Sequence, residues 1–321
     1  IQAGVTVPDA VWADANYVYL ANFDGRLRVI DERQSGFPVI ADIPMTSQLF
    51  SVRGDAASVY ATGTDGMLFR FSNQPPFATE SSTSYATIAL NSLDVDQSST
   101  GSIFVSQGSG QSAADSAHVY VTSLNPGEGV LAISKATGQV ITQYEENPVD
   151  PSVTAVFDRS SGARIGTIQN PTTNSGGLGA AAIYSQAGVL AIFTPGCCGR
   201  GVYLYDASSL APLGGGSIQD PWVDTVALVK NWLIVGTEAG TVDVFDISNR
   251  AAIQPSLAPV ASINLRTVTG KTGIEDIEIR AIWAEDTGSS VRIYAGSSWG
   301  NSSKPADYRA QLPSFFVLDL K

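Results

Sequence analysis

Apolar and polar positions alternate along the chain in short runs, and polar turns rich in Gly, Ser, Asn and Asp separate the runs. Alternation with a period of two is typical of a β-strand with one buried face, and no helical period persists for more than two turns. The clearest stretch is Asp224–Asp246, which matches Asp9–Asp31 without a gap. Each stretch predicts three antiparallel strands, and the match predicts a repeated unit.

The third strand of the unit is the easiest to identify, because its alternation ends in Asp or Ser before a polar turn. An Asp there can bond to the backbone of its own turn, which explains the residue type without a function. The signature occurs seven times, at Leu27–Asp31, Met67–Ser72, Val130–Ser134, Thr154–Asp158, Val202–Asp206, Val242–Asp246 and Phe315–Asp319.

A repeat of about 40–45 residues with four strands is the signature of a β-propeller blade. We therefore predict an all-β propeller of seven four-stranded blades, because one blade cannot bury both faces and must stack on its neighbours around an axis. Six blades plus an inserted hairpin is the alternative, since only seven strands can be counted in 89–171, where two blades need eight. The single predicted domain, 1–321, has blades at about 9–46, 47–88, 89–145, 146–171, 178–219, 221–265 and 274–321.

The two ends of the sequence are predicted to share the last blade. Phe315–Leu320 reads as a third strand without a fourth, and Ile1–Val7 reads as a strand without a blade before it. Pairing the two segments would complete the last blade and remove an aggregation-prone edge. If Ile1–Val7 closed the last blade of a neighbouring copy instead, the chains would assemble head to tail into a filament.

One face of the ring is the predicted binding surface. Strands of a blade alternate in direction, so connections between second and third strands share a face with connections between blades. The connections between second and third strands are longer than a tight turn at Pro195–Gly201, Ser297–Pro313 and Gln107–Ala117. Loops of more than minimal length tend to carry function. The candidate binding residues on this face are Cys197, Cys198, Arg200, Trp299, Tyr308 and Arg309.

The only two cysteines, Cys197 and Cys198, are adjacent, which excludes an ordinary long-range disulfide within the chain. A vicinal disulfide, two free thiols and an intermolecular bridge are the remaining states. We favour the vicinal disulfide, because the neighbouring glycines give the backbone the freedom that so tight a ring needs. It would stiffen the loop or offer a flat apolar surface to a planar ring or a sugar.

Carboxylates are predicted on the innermost strands. Asp9 and Asp224 occupy equivalent repeat positions, and Glu275, Asp276 and Glu278 fall on the innermost strand of the last blade. Carboxylates facing the channel could hold a cation or act as acid and base. Because Asp9 and Asp224 recur at one repeat position, a structural capping role is the favoured interpretation, and we predict neither a catalytic residue nor a metal ligand.

The composition indicates where the protein works. Charged residues make up 15% of the chain, and only five of its 18 basic residues are lysines. A surface built instead from Ser, Thr, Asn, Gln and Gly is more usual for secreted proteins, so we predict an extracellular or cell-surface location. The net charge of −12 argues against nucleic acid as a partner. No apolar run reaches the roughly 18 residues of a membrane helix, so no membrane insertion is predicted.

The segment Val130–Glu145 resembles the Ala-Leu-Asp-x-x-Thr-Gly-Lys-x-x-Trp repeat of pyrroloquinoline-quinone dehydrogenase propellers, with Gln139 at the Lys position and Ile141–Thr142 at the Trp position. Those enzymes also stack a vicinal cysteine pair against the quinone. A second resemblance is to the LVIVD-type propellers of bacterial and archaeal surface proteins, and the segments Tyr17–Asn22 and Leu27–Asp31 carry it. Trp232–Thr237 with Val242–Asp246 carry the same resemblance, which implies a surface or secreted propeller and no particular reaction.

Two classes of function follow. The leading prediction is a non-enzymatic extracellular structural or interaction propeller without a cofactor, which binds a protein or glycan partner, or further copies of itself. The alternative is an enzyme, either a quinone-dependent oxidoreductase or a hydrolase or lyase that uses the channel carboxylates. His118 is the only histidine, so any Ser–His–Asp triad would depend on it.

Overall fold

The described residues form seven antiparallel sheets arranged in a ring. The predicted all-β propeller of seven blades is therefore confirmed, and the six-blade alternative is wrong. The α-helix α1 (Leu265–Thr269) has five residues. Among the described residues, no helix has the length and apolar composition needed to span a membrane. The computed structural model describes residues 8–85, 90–98, 100–107, 112–122, 129–145, 153–169, 181–185, 188–193, 201–220, 222–271, 277–298 and 312–321.

Five of the blades follow the chain in order. Their strands are β1 (Pro8–Ala13), β2 (Tyr17–Asn22), β3 (Arg26–Asp31) and β4 (Val39–Pro44); β5 (Leu49–Gly54), β6 (Ser58–Gly63), β7 (Met67–Ser72) and β8 (Thr79–Ser84); β17 (Ala181–Ser185), β18 (Val189–Phe193), β19 (Val202–Asp206) and β20 (Pro212–Ile218); β21 (Val223–Val229), β22 (Trp232–Thr237), β23 (Thr241–Asp246) and β24 (Ala261–Asn264); and β25 (Glu278–Asp286), β26 (Val291–Ser298) and β27 (Phe315–Leu320).

The remaining two blades occupy 90–169. Their strands are β9 (Leu90–Val95), β10 (Ser102–Gln107), β11 (Ser112–Ala114), β12 (His118–Thr122), β13 (Gly129–Ser134), β14 (Val140–Glu145), β15 (Val153–Asp158) and β16 (Arg164–Gln169).

These third and fourth blades are interleaved along the chain. β10 pairs with β13 instead of the strand that follows it, and β12 pairs with β15. The third blade is therefore β9–β10–β13–β14, and the fourth is β11–β12–β15–β16. The predicted ranges 89–145 and 146–171 thus do not separate two sheets, because β11 and β12 lie in the first range and belong to the later blade. The predicted loop Gln107–Ala117 contains β11, whose three residues are too few for a visible alternation.

All seven predicted third strands are confirmed, since β3, β7, β13, β15, β19, β23 and β27 are each third from the axis. The innermost strands β1, β5, β9, β11, β17, β21 and β25 pack beside one another in a closed circle. The core lies between the blades, where large side chains such as Tyr19, Tyr60 and Tyr294 are fully buried. The outer strands are exposed, most clearly β8.

The two faces of the ring differ. We call the face that carries the connections between blades and between second and third strands the connection face. The opposite face, with the connections between first and second and between third and fourth strands, is the turn face. The strands β18 and β26 end at the connection face, and the predicted long connections after them, 194–200 and 299–311, lie outside the described residues.

Long side chains tie neighbouring blades together at the turn face. Lys135, the first residue after β13, forms a buried ion pair with Asp55 of the second blade. Its Nζ also donates to the carbonyl oxygens of Asp96 and Ser98 at 2.8 and 2.7 Å. Arg159, at the matching position after β15, pairs with Asp96. In both interleaved blades, the residue directly after the third strand therefore forms the ion pair with the preceding blade.

The last blade packs directly on the first. The hydroxyl of Tyr294 on β26 lies within hydrogen-bonding distance of Glu285, at 2.8 Å, and of Glu32, the residue after β3. Phe315 and Tyr294 also share an apolar cluster with Val11 of β1. The last blade has three strands among the described residues. Its predicted fourth strand, Ile1–Val7, lies outside them.

A cysteine pair placed across β10 and β13 is expected to form a disulfide, which tests the interleaving. Ser102 and Ser134 are directly opposite in the sheet, where Cβ atoms lie about 4.5–5.5 Å apart. Ser58 and Ser72 occupy the matching positions of the second blade, so they provide the control. Both double cysteine variants, made with Cys197 and Cys198 replaced by serine, should give a cross-linked peptide in mass spectrometry. A cross-link in the control alone would contradict the interleaved order.

Candidate functional site

At least four of the seven innermost strands carry a β-bulge close to their first residue. The pairing register slips at Asp9 in β1, Phe50 in β5, Asp224 in β21 and Arg280 in β25. A bulge adds one residue to a strand and re-aims its side chain, and bulges are common next to binding sites. Because the innermost strands begin on the connection face, the bulged residues lie at that end of the central channel.

Charged side chains from three adjacent blades meet at this end of the channel. The Nε of Arg280 is 3.1 Å from Oδ2 of Asp224 in the neighbouring blade. The same guanidinium donates to Glu278 at 2.8 Å, and Glu278 also accepts a hydrogen bond from the Ser298 hydroxyl at 3.3 Å. Asp9 lies in the field of the same arginine. We call Asp9, Asp224, Glu278 and Arg280 the axial cluster.

The axial cluster holds three carboxyl groups and one guanidinium. Burial raises the pKa of Asp9 to about 7, and the charge of Arg280 opposes this rise. Burial also raises the pKa of Asp224 to about 7, with Arg280 opposing and Glu238, Glu278 and Asp9 reinforcing the rise. The two aspartates are therefore partly protonated near neutral pH.

The cluster has one buried acceptor that the described residues do not use. Oδ2 of Asp9 accepts no hydrogen bond from them, whereas the buried Oδ2 of Asp224 has the Nε of Arg280 3.1 Å away. The side chain of Asp224 is 3% exposed, whereas that of Arg280 is 40% exposed and reaches solvent. No three His, Cys, Asp or Glu side chains within the described ranges have an arrangement suited to a metal ion. The cluster is therefore best suited to a ligand that donates N–H or O–H hydrogen bonds.

The structure brings together three of the five predicted channel carboxylates, Asp9, Asp224 and Glu278. Glu275 and Asp276 lie outside the described residues. The six predicted binding-face residues, with the predicted Cys197–Cys198 disulfide, also lie outside them, so these assignments stay predictions: Cys197, Cys198, Arg200, Trp299, Tyr308 and Arg309.

The sequence contained a signal for Arg280 that the repeat comparison missed. Ile279–Ala284 (IRAIWA) matches Pro8–Ala13 (PDAVWA) at both alanines and at the tryptophan. Arg280 therefore stands at the repeat position of Asp9. The reversed charge at this one position hides the equivalence, and it also explains why Arg280 attracts both Asp9 and Asp224.

Below this cluster, aromatic side chains approach the channel. The guanidinium of Arg53 on β5 lies 5.2 Å from the ring centre of Trp283 on β25, although β1 separates their blades. Trp12 of β1 is 6.4 Å from the same ring. Because blades two and seven flank blade one, their inner strands can meet only on its channel side. These residues therefore fill the space beneath the axial cluster.

Comparisons with known proteins identify a fold and no family. No family model matches the chain, and no curated protein matches it. Among solved structures, the computationally designed Ika8 protein is similar with a TM-score of 0.63 at 14% identity, over 98% of this chain and 96% of that one. A chain of the Mitotic Checkpoint Complex is similar with a TM-score of 0.61 at 10% identity, over 91% of this chain and 86% of that one. At such identities the similarity concerns the fold alone.

Proposed function

We propose that this chain is a non-enzymatic extracellular structural or interaction propeller that binds a protein or glycan partner through its connection face. The observation that supports this proposal is the buried Oδ2 of Asp9, which accepts no hydrogen bond from the described residues, beside the buried Asp224 that pairs with Arg280. These groups lie at the channel end of the connection face. A basic side chain of a protein, or a hydroxyl group of a glycan, would supply the missing donor to Asp9.

The remaining contacts of the cluster favour a rigid binding surface. Arg280 joins β25 to Asp224 of β21, so the two blades are held at a fixed spacing at the channel mouth. A preorganised surface loses little conformational entropy when a partner binds. An extracellular location and a relationship to LVIVD-type surface propellers belong to the same proposal, and the low lysine content and the repeats of the first and sixth blades support them.

Neutralising Asp9 and Asp224 is expected to weaken partner binding at least tenfold. The probes are an oligosaccharide array and a set of Lys- and Arg-rich peptides, followed by calorimetry with the best binder. The test variant is D9N/D224N, in which each carboxylate becomes a neutral amide of the same shape. The control, D42N/E80Q, removes the same charge from exposed outer strands. Equal loss in both variants, or no binder for the wild-type protein, would overturn the proposal.

One observation favours a hydrolase or lyase as a second candidate. A carboxyl group with a pKa of about 7, as in Asp9 and Asp224, is suited to acid–base catalysis at neutral pH. The same oligosaccharides are therefore analysed for cleavage products after incubation with each protein. Cleavage by the wild type and the control, but not by D9N/D224N, would favour the enzyme over the binding protein.

A further inference from the structure

We propose that Trp222 anchors the binding surface of the connection face, and that a lysine or arginine side chain of a protein partner stacks on its indole ring. This inference rests on the proposed function and deepens it, because it names the anchoring residue and the chemistry of the partner. The partner is a basic segment of another protein, and its cationic side chains contact Trp222 and the carboxyl groups at the channel mouth.

Trp222 is an exposed aromatic side chain directly before β21 of the sixth blade. It is 49% exposed, whereas Trp12, Trp232 and Trp283, the other tryptophans among the described residues, pack into the apolar clusters between blades. Aromatic residues are enriched at protein interfaces, and tryptophan is among the residue types that contribute most to binding energy. The position of Trp222 therefore indicates a contact surface.

The backbone of Trp222 adopts a conformation that is rare for tryptophan. Its φ is 70°, in the left-handed region that favours glycine. The carbonyl oxygen of Trp222 accepts a hydrogen bond from the backbone N–H of Glu238 at 3.0 Å, which holds this conformation in place. Glycine would fit the same geometry without strain, so the backbone does not explain why tryptophan stands here. Strained residues are concentrated at sites where a ligand binds, which supports a role for the exposed ring.

The hydrogen bond with Glu238 places Trp222 at the rim of the axial cluster. Glu238 directly follows β22 on the connection face, and its side chain lies in the electrostatic field of Asp224 and Arg280. Trp222 also stands two residues before Asp224 in the sequence. The exposed ring and the axial cluster can therefore contact the same partner.

Buried carboxyl groups lie on both sides of Trp222 in the sequence. Asp220 is 6% exposed, and its Oδ2 accepts no hydrogen bond from the described residues. Burial raises the pKa of Asp220 to about 7, and the neighbouring carboxyl group of Asp243 reinforces the rise. Asp220 thus resembles Asp9 and Asp224 of the axial cluster, on which burial has the same effect. A cation beside a buried carboxyl group favours its ionised form, so a cationic partner stabilises all three groups.

Two arginines near the channel mouth are already engaged. Arg280 pairs with Asp224 and Glu278. Arg266 donates a hydrogen bond to the carbonyl oxygen of Glu238 at 2.5 Å. The positive charge that would complete this site is therefore expected from a partner, and the net charge of −12 makes the whole molecule attract a basic one.

A cation fits these features better than a neutral sugar does. The face of a tryptophan ring binds a cation better than that of any other aromatic side chain, and the planar guanidinium group of an arginine also stacks on it. A sugar could stack on the same ring, but it would leave the buried carboxyl groups without a counter-charge. The observations together favour a basic segment of a protein.

The test measures binding of the best Lys- or Arg-rich peptide by calorimetry. Trp222→Ala is expected to weaken this binding at least tenfold, whereas Trp222→Phe should retain part of the affinity. Ile165→Ala is the control, because Ile165 is 53% exposed on an outer strand of the fourth blade. Trp222→Gly is expected to lose binding while its thermal unfolding midpoint stays equal or rises, since glycine relieves the backbone strain.

Three results would overturn the inference: unchanged peptide binding by Trp222→Ala, an equal loss in Ile165→Ala, or a wild-type protein that binds no basic peptide. If peptide binding falls in D9N/D224N but not in Trp222→Ala, the inference is refuted and the proposed function stands. Oligosaccharide binding that depends on Trp222, without peptide binding, would replace the basic partner by a glycan. A lower unfolding midpoint of Trp222→Gly with normal peptide binding would show that Trp222 is a packing residue.

Discussion

Replacing Lys135 with methionine is expected to lower the free energy of unfolding by about 3–5 kcal/mol. The side chains of Lys135 and Asp55 are 6% and 4% exposed, so the variant leaves the Asp55 carboxylate buried without its cation. Two carbonyl oxygens, of Asp96 and Ser98, lose their charged donor in the same step. Denaturant unfolding followed by tryptophan fluorescence measures the loss.

An exposed ion pair provides the control for this prediction. Arg26 and Asp42 lie on outer strands of the first blade, with side chains 37% and 42% exposed. Because water screens such a pair, Arg26→Met is expected to cost less than about 1 kcal/mol. Adding Asp55→Asn to Lys135→Met should restore part of the lost stability, since it removes the buried charge. A cost for Lys135→Met as small as that of the control would show that the inter-blade pair does not stabilise the ring.

The wild-type protein is expected to lose stability relative to D9N/D224N as the pH rises from about 4 to about 8. Burial raises the pKa of both aspartates from 3.8 to about 7 in the folded state. Between these values the folded state holds protons that the unfolded state releases, so a rising pH favours unfolding. A rise from 3.8 to about 7 corresponds to at most about 4 kcal/mol per carboxyl group.

Asparagine does not titrate, so the variant lacks this part of the pH dependence. Unfolding free energies are measured at several pH values for the wild type, for D9N/D224N and for D42N/E80Q. The difference between the wild type and the axial variant should change steadily between pH 4 and pH 8. Parallel curves for all three proteins would mean that the axial aspartates ionise as they do in water.

The sequence predicted the strands well because a strand is indicated by the alternation of apolar and polar residues within a short segment. Apolar–polar alternation that ends in Asp or Ser identified the third strand of all seven blades. One of them is Thr154–Asp158, which lies in β15, in the region where the blades are interleaved. No such local pattern indicates which strands pair. Whether β10 pairs with β11 or with β13 is decided by contacts between distant residues, such as Lys135 with Asp55. Local patterns therefore determined the number of third strands but not the order of the third and fourth blades.

The sequence likewise predicted one part of the candidate site and missed another. Repeat equivalence identified Asp9 and Asp224 as related positions on innermost strands, and the structure places them around one arginine. The repeat comparison missed Arg280, because a charge reversal at one repeat position resembles an unrelated residue. The raised pKa values of Asp9 and Asp224 could not be predicted from the sequence. They follow from burial of the two carboxyl groups, which depends on the packing of three blades.

The interleaved order of the third and fourth blades limits how this chain can be rearranged. Propellers whose blades are contiguous segments can gain or lose one blade by copying or deleting one segment. No single cut within 90–169 releases a complete sheet, because β11 and β12 interrupt one blade and β13 and β14 interrupt the next. The two blades must therefore be inherited and transplanted as one module, and neither can be complete until the ribosome has passed Glu145.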